Sequence, residues 1–128
     1  MKTVLITGAT SGIGAACAHL FAAQGYHLIL VARREELLNE NARHLADKYA
    51  VEVKSIVADV RDFENLSYAL ETLPAQWKKV NVLINNAGLS QGLDPIHKGE
   101  IGDWDTMIDT NIKGLLYVSK IVSNWMIA

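Results

Sequence analysis

The stretch TGATSGIG, residues 7–14, packs three glycines into eight positions, between the apolar run TVLIT (3–7) and AACAHLFAAQ (15–24). A strand that passes through a glycine-rich turn into a helix leaves unpaired backbone N–H groups at the helix N-terminus, where the helix dipole is positive. Such an end receives phosphate. Glycines let the turn tighten and let a pyrophosphate approach without a Cβ in the way. On this reading Gly8 makes the turn, Gly12, Ile13 and Gly14 form the helix entrance that holds the anion, and Thr7 ties the turn to the fourth strand through its hydroxyl. Glycine spacing alone also fits a loop that needs positive φ and nothing more. The surrounding pattern weighs between the two.

Outward from this turn, elements alternate. The run 3–7 is short, apolar and β-branched, and predicts a buried strand. Helix 12–24 follows, with Ile13, Cys17, Leu20 and Phe21 at helical spacing and Gly25 as its stop. HLILVA (27–32) predicts a second buried strand, and residues 34–49 a charged helix with Leu37, Leu38 and Leu45 toward the core. VEVKSIVADV (51–60) alternates before turning apolar, which suits a strand at the sheet's edge. Residues 62–73 form a third helix, ended by Pro74. VNVLINNAG (80–88) is a fourth strand and 89–102 a loop. From Asp103 a long helix carries Trp104, Met107, Ile108, Ile112, Leu115 and Leu116 as its apolar marks. Four strand–helix repeats with strands apolar almost throughout predict an α/β, doubly wound parallel sheet covered on both faces.

Composition narrows the function. The chain has 128 residues, half of them hydrophobic, and a formal net charge of −2. Such a balance offers no footprint for nucleic acid or an anionic membrane. No apolar run approaches the roughly 18 residues of a spanning helix, and the first residues are too short and glycine-broken for a signal peptide. The lone Cys17 rules out an intramolecular disulfide and fits a reducing cytoplasm. His19, His27, His44 and His97 are far apart, and no His, Cys, Asp or Glu group has metal-ligand spacing. Trp77, Trp104 and Trp125 read as packing anchors.

The end of the second strand refines the ligand. A Rossmann site for NAD usually carries an acidic residue there for the ribose hydroxyls. This chain has VARREE, which puts Arg33 and Arg34 at that point. A guanidinium suits the extra 2′-phosphate of NADP through charge-assisted, bidentate bonds. Two arginines that merely open a helix and face water are the plainer alternative. NADP is favoured over NAD.

These residues resemble the short-chain dehydrogenases/reductases. TGATSGIG matches that family's T-G-x-x-x-G-x-G cofactor motif, ADV (58–60) its adenine-contacting Asp, NNAG (85–88) its sheet-end motif, and DTNIKG (109–114) the helix segment with its active-site Asn. The four motifs stand in the family's order and span the chain. The resemblance implies cofactor contacts from Thr7, Gly8, Ser11, Gly12, Ile13, Gly14, Arg33, Arg34, Asp59, Val60, Asn86, Ala87 and Gly88. It gives Asn111 a catalytic role, binding a water of a proton relay at a local kink. Residues 73–120 further resemble the branch of NADP-dependent 3-hydroxy acid (serine 3-) dehydrogenases, which act on small 3-hydroxy acids or the corresponding semialdehydes.

The family's general acid is a Tyr with a Lys four residues on, and a Ser orients the substrate. Here Tyr26 is followed at that spacing by Leu30, Tyr49 by Val53, Tyr68 by Thr72 and Tyr117 by Ile121. The resemblance therefore implies that residues 1–128 are the amino-terminal part of a single Rossmann domain, with strand order 3-2-1-4, from an enzyme about twice this length. Such a fragment is expected to be inactive alone, with the strand at 80–86 a bare edge and one face of the last helix open. The full-length form would act on a small molecule as a homo-oligomer, a dimer or tetramer. A non-catalytic NADP(H)-binding module is the alternative.

Overall fold

The computed structural model describes residues 2–10, 12–89, 91–92 and 94–128. Strand β1 (Thr3–Thr7) is buried at all five positions. It pairs in parallel with β2 (His27–Ala32), from Thr3↔His27 to Thr7↔Val31, and on its other side with β4 (Val82–Ile84), with Leu5 opposite Leu83. The edge strand β3 (Val53–Val57) pairs with β2, so the order is β3-β2-β1-β4. The doubly wound parallel arrangement expected from the sequence is present.

The two-residue period of a strand sorts the apolar side chains onto two faces. Val4, Ile6, Leu28 and Leu30 point toward helices α1 (Gly12–Ala23) and α2 (Glu35–Tyr49), where they meet Ala18, Ala22, Leu38 and Leu45. Leu5, Ile29, Val31 and Ile56 point the other way. They meet Leu66 and Leu70 of α3 (Phe63–Glu71), Trp77 of a 3₁₀ turn (Ala75–Lys78), and Val118, Ile121 and Val122 of α5 (Leu115–Ile127). Each fully buried Leu or Ile contributes about 1.5–3 kcal/mol of transfer free energy. Trp125 packs against the same cluster, and the Trp104 ring lies against Gly99.

Two helix faces differ from the sequence expectation. In α1 the buried residues are Gly14, Ala18 and Ala22, whereas Ile13 and Leu20 are 74% and 67% exposed. Small side chains four residues apart let α1 lie close to the sheet, and close approach decides the packed face here. The long carboxyl-terminal helix divides into α4 (Ile101–Ile108), a π-helical turn (Asp109–Gly114) and α5. Its inward residues are Thr110, Gly114, Val118, Ile121 and Val122, while Ile108, Ile112, Leu115 and Leu116 are exposed. Strands β3 and β4 are also shorter than the apolar runs 51–60 and 80–88, because the ends of those runs leave the ladder to form the loops described next.

Candidate functional site

The carboxyl ends of the strands surround a cleft of about 170 Å³. Gly8 and Thr10 follow β1, Arg33 and Arg34 follow β2, and Asp59 and Val60 follow β3. Asn86, Ala87 and Gly88 close it from β4, and Thr110 reaches it from the π turn. This is where ligands of open α/β sheets bind, beside the point at which strand order reverses from β1 toward β4.

The turn after β1 is held from behind by one oxygen. Thr7 Oγ1 accepts from the backbone N–H of Asn86 at 3.0 Å and of Ala87 at 2.9 Å. Asn86 returns the tie by donating from Nδ2 to the Gly8 carbonyl at 3.0 Å. Gly8 has φ +61°, and a Cβ there would lie 2.9 Å from Ala87 Cα. Both the handedness and the space at Gly8 therefore demand glycine.

Gly12, Ile13 and Gly14 part company. Gly12 has φ +58° and nothing within 4 Å of a Cβ position, so its backbone faces open space at the start of α1. The first turn of α1 carries no acidic side chain, which leaves the positive end of its dipole uncompensated. Gly14 is buried under the turn, where a Cβ would run into the Gly8 carbonyl and Asn86 Nδ2. Its smallness serves helix–turn packing, since the space of a Cβ is already filled. Ser11 lies outside the described residues.

The β3 end is built around a charge pair. Arg61 donates from Nε to both Asp59 oxygens at 3.0 Å and from Nη2 to Oδ2 at 2.6 Å, and its backbone N–H also reaches Oδ1. This hydrogen bonding by Arg61 holds the Asp59 carboxyl below its ordinary value, with Arg33 adding a smaller push the same way. Sequence reasoning singled out Asp59 but missed Arg61, whose signal was the opposite charge two residues on. Thr110 was missed as well, a threonine within a helical stretch giving no sign of its position.

Asn111 stands apart from the cleft wall but braces it. Its Oδ1 accepts from the Leu89 N–H at 2.8 Å and its Nδ2 donates to the Leu89 carbonyl at 2.9 Å. Gly88 packs beside it, with a Cβ position 3.1 Å from Asn111 Oδ1. Among the described residues the two bonds to Leu89 are its hydrogen bonds, which leaves one N–H and one lone pair of the amide for a further partner. The local kink expected at Asn111 is the π turn itself.

The model of the short chain dehydrogenase family matches residues 2–128. The chain belongs to the short-chain dehydrogenase family. Among curated relatives it is 43% identical over 124 residues to the NADP-dependent 3-hydroxy acid dehydrogenase YdfG of Salmonella typhi, covering 97% of this chain and 48% of that protein. It is 48% identical over 119 residues to sulfoacetaldehyde reductase 2 of Chromohalobacter salexigens, covering 93% of this chain and 46% of that one. A serine dehydrogenase solved in its closed form with NADP+ superposes with a TM-score of 0.87 at 41% identity, over 97% of this chain and 48% of the other. The chain thus spans about half the length of the curated dehydrogenases it matches. Among the described residues, no helix of the chain is long and apolar enough to cross a membrane.

Proposed function

We propose that residues 1–128 are the amino-terminal, NADP(H)-binding part of an oxidoreductase that transfers hydride between NADP(H) and a small 3-hydroxy acid or its carbonyl counterpart. The observation that carries this reading is the pair Arg33 and Arg34 on the cleft wall at the end of β2, beside the glycine turn. The residues fit the cofactor: the backbone at Gly12 is open to a pyrophosphate, and the α1 dipole is free to attract it. Bound NADP(H) would supply the hydride acceptor or donor.

Each residue then has a physical task. Arg33 and Arg34 pair with the 2′-phosphate, and Asp59, steadied by Arg61, accepts from the adenine amino group beside Val60. Gly8, Gly12 and Ile13 frame the pyrophosphate through their backbone, with Gly14 packed beneath. Thr7 fixes the distance between the β1 and β4 turns, and Asn86, Ala87 and Gly88 border the nicotinamide half. Asn111 holds the Leu89 backbone and offers its remaining N–H or lone pair to a water in proton relay. The substrate class is supported by the relatives named for a 3-hydroxy acid and for sulfoacetaldehyde, both small molecules with an acid group. The whole enzyme is proposed to work in the cytoplasm as a homo-oligomer, its Ser, Tyr and Lys lying outside residues 1–128.

The test uses the full-length protein and the ratio of kcat/KM with NADPH to that with NADH. A charge-assisted bond is worth about 1.5–3 kcal/mol. Arg33→Asp should therefore lower the ratio roughly 10- to 100-fold. An unchanged ratio removes Arg33 from the phosphate site. Turnover of a 3-hydroxy acid by the unsubstituted enzyme supports the dehydrogenase reading, and tight NADPH binding without turnover favours the non-catalytic module.

A further inference from the structure

Past Ile84 the chain leaves the β4 ladder, and residues 86–89 run along the cleft wall. Side chains hold this stretch where ladder bonds no longer do. Thr7 Oγ1 takes the N–H groups of Asn86 and Ala87, Asn86 Nδ2 holds the Gly8 carbonyl, and Asn111 brackets Leu89. These ties come from the β1 turn and the π turn. Asn85, where the stretch begins, is anchored elsewhere. Its Nδ2 donates to Ser119 Oγ at 3.0 Å, and Ser119 stands in the second turn of α5.

Neither Asn85 nor Ser119 lines the cleft. Asn85 Oδ1 is buried and has no hydrogen-bond partner among the described residues, so among them Ser119 alone fixes this amide. A serine inside a helix commonly turns its hydroxyl back on its own backbone. Ser123, one turn on, does so at the Lys120 carbonyl, whereas Ser119 reaches across to the end of β4. Without that acceptor the Asn85 amide would be left with neither end bonded, a cost that favours movement of the stretch it begins.

We infer that Ser119 is a positioning residue, which through Asn85 sets where Asn86, Ala87 and Gly88 stand against the nicotinamide half of the dinucleotide. This rests on the dehydrogenase reading proposed above. The adenosine half is framed by the ends of β1, β2 and β3 and does not depend on this bond.

The experiment uses the full-length protein and a shape-matched pair, Ser119→Thr with a hydroxyl and Ser119→Val without one. It reads kcat with a small 3-hydroxy acid and NADP+, the affinity for 2′,5′-ADP by calorimetry, and hydrogen exchange at the Asn86 and Ala87 amides without ligand. Ser119→Val should lower kcat about tenfold, within the loss that a misplacement of about 1 Å produces. It should also speed exchange at both amides and leave 2′,5′-ADP affinity within about twofold of the original, since that ligand lacks the nicotinamide. Ser119→Thr keeps the acceptor and should hold all three readings to within about twofold. An unchanged kcat in the Val variant overturns the positioning role, even where its thermal midpoint falls, because the bond then serves stability alone. Unchanged exchange at the two amides overturns it as well. Equal losses in the Val and Thr variants assign the effect to bulk, and loss of 2′,5′-ADP affinity together with kcat assigns it to general loosening; each overturns the inference while the dehydrogenase reading stands. An unsubstituted protein that binds 2′,5′-ADP but turns over no small 3-hydroxy acid overturns that reading and this inference with it.

Discussion

An added methyl group at Gly14 would run into the Gly8 carbonyl, which is itself held by Asn86 Nδ2. Backbone atoms on one side and a tied amide on the other leave little room to yield. Gly14→Ala should cost about 2–3 kcal/mol of folding stability, and urea unfolding of the full-length variant checks it; a midpoint within error of the original would contradict the packing argument. Thr7→Val leaves two N–H groups without their shared acceptor and should cost about 2–4 kcal/mol by the same measurement. Asp59 allows a pH test. Its carboxyl is held below the usual 3.8, chiefly by the Arg61 hydrogen bonds. A lowered folded-state value means that the ionised form is favoured by folding, so its contribution is present above the unfolded value and is lost as pH falls through the folded one. Between about pH 5 and pH 2, stability should fall less steeply in Asp59→Asn than in the original. Parallel pH curves would show that the pair adds nothing to folding.

At the scale of elements, the strands and the order of helices were legible because apolar runs mark the strands, while Gly25 and Pro74 stand just past the ends of α1 and α3. The glycine turn and the Thr7 tie to the fourth strand were legible as well, since a turn between strand and helix has few solutions. The packed face of α1 was not, because Gly14, Ala18 and Ala22 are quiet in hydropathy and win by size, while Ile13 and Leu20 draw the eye and stay exposed. The inward face of α4–α5 failed for a different reason. A pattern with 3.6 residues per turn, aligned on Trp104 and Met107, loses its phase across the π turn, so the apolar marks Ile112, Leu115 and Leu116 do not point to the face that Val118, Ile121 and Val122 bury. The C-cap of α2 provides a clean test of local geometry. Ala50 sits at φ +54°, where a side chain is strained, and Ala50→Gly should raise stability by about 0.5–1 kcal/mol, read from the thermal midpoint. A lower midpoint would mean that flexibility gained in the unfolded chain outweighs the strain relieved.

Across the whole molecule, the two sides of the sheet are unequally finished. Among the described residues, β1 and β2 have strand neighbours on both sides, whereas β4 pairs with β1 alone and its three residues are half-buried. On α4 and α5, Ile101, Ile112, Leu116 and Ile127 are exposed. Unpaired strand edges and apolar surface promote association. Residues 1–128 prepared alone should therefore self-associate in sedimentation, and Leu116→Lys should shift the distribution toward monomer. A monodisperse monomer at high concentration would show that these surfaces are inert. The π turn at Asp109–Gly114 has a different consequence, for lineage and engineering. Such a turn is equivalent to one residue inserted into an α-helix, and each residue rotates a helix by about 100°. Deleting a single residue from this turn would let the ladder close as an ordinary helix and would swing everything after it by that angle, taking Val118 and Val122 off the sheet. The chain's length across these six residues is therefore as strictly constrained as their identity.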